Sequence, residues 1–101
     1  MTSPAIWTPE ATGDLEEIIY YIAVEQNRPE VAEGVARQIR EACDRHATAP
    51  LAGERETRLG HECRRFSLKR WIVLYRPYQD GIAVLRIVDG SRDFDQLFTG
   101  R

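Results

Sequence analysis

Arginine is the residue in this sequence with the most capacity for chemistry, and Arg64, Arg65, Arg86 and Arg92 in the second half stand out. A guanidinium is permanently charged and offers a planar fork of donors, so it grips phosphate or carboxylate in a fixed geometry. Arg64 and Arg65 are adjacent in a strand-like run and point to opposite sides. At least one of them should be exposed, for phosphate or protein contact or for a surface ion pair. Arg86 lies within the apolar run Ile82 to Val88, where a charge requires a partner or an interface. Arg92 follows that run, and either Asp89 or Asp93 could hold it to orient the tail. These four arginines are the candidate target-binding residues. His61, Cys63, Cys43 and His46 fit no standard zinc spacing, so neither a metal nor any other cofactor is expected.

The elements that must carry these side chains can be read from periodicity. At 101 residues, with 43% hydrophobic and 30% charged residues, the chain is expected to form one folded domain over residues 1–101. Ala5-Ile6-Trp7 reads as a short strand, and Thr8-Pro9-Glu10 as a helix start with its cap, first-turn proline and acid. Ala11, Leu15, Ile18, Ile19 and Ile22 then recur at helical spacing, predicting a helix from about Pro9 to Glu25. Asn27-Arg28-Pro29-Glu30 signals a second start, and Val35, Ala36, Ile39, Cys43 and His46 continue that helix to just before Pro50. With so short a connection the two helices form an antiparallel hairpin.

Leu51 to Glu62, with Gly53 and Gly60, reads as a surface loop. Cys63 to Leu68, Trp71 to Arg76 and Ile82 to Val88 are strand-like, separated by Lys69-Arg70 and Gln79-Asp80-Gly81. The expected fold is therefore α+β: an N-terminal strand and a helical hairpin on an antiparallel sheet, with a short C-terminal segment. Strict alternation places Ala83, Leu85 and Ile87 on one face of the last strand, and Ile82, Val84, Arg86 and Val88 on the other. The second set is too apolar for a solvated face, so a partner or the C-terminal segment should cover it.

Charge is unevenly spread. Up to residue 50 there are four basic residues against nine acidic, and from residue 51 ten basic against seven acidic. An anionic partner, if any, would meet the C-terminal half. No run approaches a membrane span and Met1-Thr2-Ser3-Pro4 lacks the features of a secretory signal, so a cytosolic location is expected. Cys43 and Cys63 are expected to be reduced thiols packed as small hydrophobes.

Several segments, in order, resemble RelE/ParE toxins of type II toxin-antitoxin systems. These are Trp7-Thr8-Pro9-Glu10-Ala11, Asp14-Leu15, Ile18, Tyr21-Ile22, Leu59-Gly60 and Arg64-Arg65-Phe66. The pattern continues through Ile72-Val73-Leu74-Tyr75-Arg76, Asp80-Gly81-Ile82, Val84-Leu85-Arg86-Ile87-Val88 and Gly90-Ser91-Arg92-Asp93. The resemblance implies a toxin held inactive by a cognate antitoxin in a hetero-oligomer. Contacts are expected from Leu15, Ile19, Ile22, Val35 and Ile39 on the hairpin and Ile82 and Val84 on the sheet.

The two branches of that family differ in chemistry. RelE-like toxins cut messenger on the ribosome, and Arg65 and Arg92 match their catalytic pattern. Cys63, Ile72 and Phe98, however, stand where that branch has a lysine, an arginine and a tyrosine. An isoleucine cannot neutralise a phosphate and a phenylalanine has no proton to transfer. The resemblance therefore favours the ParE branch, whose members poison DNA gyrase without catalytic groups of their own. The alternatives are a ribosome-dependent endoribonuclease using Arg65, Arg86 and Arg92, or a degenerate toxin that only binds its antitoxin.

Overall fold

The computed structural model describes residues 4–90. Strand β1 (Ala5–Trp7) leads into helix α1 (Pro9–Tyr20), which continues as a π-helical turn (Tyr21–Glu25), and helix α2 (Pro29–Ala47) runs back. After these come β2 (Glu54–Arg55), a 3-10 turn (Thr57–Leu59), β3 (Arg64–Leu68), β4 (Trp71–Tyr78) and β5 (Gly81–Asp89). The sheet order is β1-β5-β4-β3-β2. The expected α+β arrangement is the one observed, with the hairpin over one face of the sheet. The sheet is mixed, because β1 pairs parallel to β5 while the other pairs are antiparallel.

Local chemistry explains the start of α1. The Thr8 hydroxyl accepts from the Ala11 N–H at 3.1 Å and donates to the Leu85 carbonyl at 3.0 Å, so one side chain caps the helix and ties it to β5. Asn27 does not cap α2 as expected. It adopts a left-handed φ of 54°, and Arg28 occupies the cap position with no side-chain hydrogen bond to the helix. The expected loop contains β2, whose two residues are too few to show any period in sequence.

The main core lies between hairpin and sheet and includes Leu15, Ile18, Ile39, Val73, Tyr75, Ile82 and Val84. A second apolar cluster joins Cys63, Leu74 and Val88, with Ile72 and Leu85 packed against it. Cross-strand pairing sets the side of Leu74 opposite that of Val73 and Tyr75, so this cluster occupies the sheet face turned away from the helices.

The simple alternation predicted for β5 fails at one place. Leu74 pairs with Arg86 but Tyr75 pairs with Val84, so Leu85 is an extra residue, a β-bulge. The bulge resets the phase: Ile82 and Val84 before it and Ile87 after it all pack in the main core, while Val88 joins the far cluster. Ile82 and Val84 are thus beneath the hairpin, not on the far face where alternation put them. Both cysteines are buried free thiols, and burial, with Asp44 nearby, pushes Cys43 up to about 12.

Candidate functional site

Register places Arg65, Leu74 and Arg86 in one cross-strand row on β3, β4 and β5, so the two arginines flank a fully buried leucine on the far face of the sheet. Neither is left without a carboxylate. Arg86 Nε lies 2.7 Å from Asp14 Oδ2 and Nη2 lies 3.0 Å from Oδ1, a forked pair between β5 and α1. The same Asp14 carboxylate accepts the Ile87 N–H at 2.9 Å. Hydrogen bonding to Asp14, opposed by burial, holds the Arg86 pKa above its ordinary value. The charge inside this apolar strand therefore has its partner within the chain, and no local pattern in the sequence connects Asp14 with it.

Arg65 is paired through Nη2 with Glu54 at 3.3 Å and through Nε with Glu56 at 3.8 Å. Glu56 is buried and is gripped also by Arg58, at 2.7 Å from Nε and 3.0 Å from Nη2. The Arg58 hydrogen bonds, against the cost of burial, hold the Glu56 carboxyl below the usual range. Arg64 braces the backbone, its Nη1 donating to the carbonyls of Gly53 at 2.8 Å and Leu51 at 3.2 Å. Beside it, the buried Tyr75 hydroxyl donates to the Pro50 carbonyl and accepts the Gly53 N–H, each at 2.8 Å. Arg92 and Phe98 lie outside the described residues.

Two positions that the resemblance compares with the messenger-cutting branch lie close to the row of Arg65, Leu74 and Arg86. Cys63 and Ile72 both belong to the far-face apolar cluster with Leu74, Leu85 and Val88. Burial raises the Cys63 thiol pKa. Only Leu74 stands between the two arginines in their row, and the far-face cluster around it consists of hydrocarbon and the Cys63 thiol, which burial disfavours as a thiolate.

The expected antitoxin contacts need correction. Leu15, Ile22, Ile39, Ile82 and Val84 are buried in the main core, where the chain's own hairpin and sheet cover them. Only Ile19 and Val35 of that set stay partly exposed. Ile19 lines an open groove of about 420 Å³ between the helices, with Ala23, Ala32 and Ala36 as its floor and Glu30, Glu33 and Arg40 at its rim. The sequence signal for this groove is Ala32 and Ala36, one turn apart in α2, whose small side chains leave a shallow channel beside α1. Among the described residues no cluster of three or more metal-ligating side chains occurs, and no helix is long and apolar enough to cross a membrane.

Residues 5–94 match the family model described as the ParE toxin of the type II toxin-antitoxin system parDE. The chain is 33% identical over 85 residues to Toxin ParE3 of Caulobacter vibrioides, covering 84% of each protein. It is also similar in fold to a chain of the chromosomal ParDE toxin-antitoxin system from P. aeruginosa, with TM-score 0.67 and 23% identity over 86% of this chain and 96% of that one. With a family match over nearly its whole length and a relative of this similarity, the chain belongs to the ParE family of type II toxin-antitoxin toxins.

Proposed function

We propose that this ParE-family toxin acts in the cytoplasm by binding DNA gyrase, performs no catalysis of its own, and is neutralised by a cognate antitoxin. The observation that carries the non-catalytic reading is the far face of the sheet. Cys63 and Ile72 are packed into an apolar cluster there, and Arg65 and Arg86 are each bound to carboxylates. Phosphoryl cleavage requires a preorganised group to take and return a proton and uncommitted positive charge for the transition state. A binding surface requires neither.

A supercoiling assay with purified gyrase tests this directly. Inhibition that is relieved by the antitoxin supports the proposal, whereas unaltered supercoiling at stoichiometric excess of toxin sinks it. Codon-dependent messenger cleavage that disappears in Arg65→Ala would favour the ribosome-dependent alternative. For neutralisation, the groove of Ile19, Ala23 and Ala36 fits an amphipathic antitoxin helix, read as apolar anchors laid between α1 and α2. Ala23→Arg should weaken capture of the antitoxin at least about 100-fold by filling the channel in which an apolar anchor would lie. Unchanged affinity would move the antitoxin elsewhere.

A further inference from the structure

A second surface, distinct from the interhelical groove, has no assigned role. Tyr20, Tyr21 and Val24 at the end of α1 and on the π-helical turn are exposed at 56%, 38% and 57%. A π-turn widens the helix and presents side chains that a regular helix would direct elsewhere, and such turns concentrate at functional sites. On one side of this apolar centre lies a depression lined by Glu16, Glu17 and Glu25 together with Tyr20 and Tyr21. On the other lies a cleft lined by Arg28, Lys69, Arg70 and Trp71, again with Tyr21. Tyr21 is common to both, so acidic and basic flanks meet across a single aromatic residue.

Arg70 is already paired with Asp89, its guanidinium also 5.2 Å from the Trp71 ring centre, while Arg28 and Lys69 make no ion pair among the described residues. The acidic flank likewise makes no ion pair there. Such an arrangement is self-complementary. Turned by a two-fold axis near Tyr21, one copy sets its acidic flank on the basic flank of another and brings Tyr20, Tyr21 and Val24 of both together at the centre. That is the defining property of an isologous interface, in which one patch meets itself.

We infer that this surface pairs the toxin with a second copy of itself, forming a two-fold dimer centred on Tyr21. An acidic or a basic partner of another kind would satisfy only one flank and repel the other, which is why a second copy is the better occupant. The patch is small, so the dimer belongs with weak, reversible interfaces that bury under about 1,200 Å².

Sedimentation velocity on the purified full chain, from about 1 to about 200 μM, tests this. The expected result is a reversible monomer-dimer equilibrium that weakens several-fold between ~0.05 and ~0.5 M salt as the flanking charges are screened. Val24→Ser should weaken it further. The decisive arm uses two charge-reversed chains, R28E/K69E and E17K/E25K, all at exposed positions and checked for unchanged thermal unfolding. Each alone should be monomeric, and their mixture should regain the dimer. A chain monomeric throughout the range, or a dimer indifferent to both reversals, overturns the inference.

Discussion

Tyr75 joins parts of the chain that its neighbours in sequence do not foreshadow. Its buried hydroxyl serves the Pro50 carbonyl and the Gly53 N–H, holding the turn after α2 against β4. Tyr75→Phe should cost about 1–3 kcal/mol, because two buried backbone groups lose their partner, and the loss is readable in urea unfolding. Asp14 satisfies an arginine and a backbone N–H at once. Asp14→Ala should destabilise the fold by about 1–3 kcal/mol, discounted for the partly exposed Arg86, and Asp14→Asn by less, since an amide oxygen still accepts from Ile87. Glu56, lowered in the fold by Arg58, makes stability pH-dependent in a definite direction. Its contribution is fully present above the unfolded carboxyl pKa of about 4.3 and is lost as pH falls through the lower folded value. Glu56→Gln should flatten that part of the acid-unfolding curve, and an unchanged curve would remove Glu56 as its source. Sequence made Arg86 conspicuous, because a charge in an apolar run requires an explanation, but Asp14 lies 72 residues away and only the fold selects it.

Among elements, β5 contains the decision on which the sheet depends. Its bulge at Leu85 allows Ile82, Val84 and Ile87 to share the hairpin side, although their spacing breaks strict alternation. Where β1 ends, α1 takes over the free edge of β5: the Thr8 N–H and hydroxyl bond the carbonyls of Val84 and Leu85, and Asp14 accepts from Ile87. The edge is thereby closed to pairing with other chains. At the other end of β1, the Ile82 N–H donates to the Pro4 carbonyl at 3.0 Å, and a Cβ on Gly81 would run into that carbonyl. Gly81→Ala should therefore release β1 from β5 while sparing the β3-β4 pair. Hydrogen exchange checks this, with protection lost at Ile82 and retained at Val73. Helix limits and the three long strands were legible because each repeats its apolar period several times. The bulge was not, since one added residue looks in sequence like a continuing strand.

At the scale of the molecule, the chain has two apolar cores on the two faces of one sheet. Both thiols are buried, Cys43 in one core and Cys63 in the other, and burial raises both pKa values. The folded protein should react with a thiol reagent at pH 8 far more slowly than the unfolded chain, by about 100-fold or more, because access requires opening the fold. Rapid labelling of Cys63 alone would mean that the far-face cluster opens independently of the main core.

The sequence by itself determined the two helices and four of the five strands, in order, since caps, prolines and apolar periods act over a few residues. It also supplied the residue types at Cys63 and Ile72, which the resemblance sets against a lysine and an arginine of the messenger-cutting branch, because residue type needs no fold to be read. Tertiary structure alone decided where those two residues sit: in an apolar cluster on the far face of the sheet, next to two arginines that are each paired with a carboxylate. It decided as well that Leu15, Ile39, Ile82 and Val84 are interior and that Ile19 borders a groove. An apolar residue is equally suited to a core or a partner, and only the arrangement of the rest of the chain determines which one reaches it first.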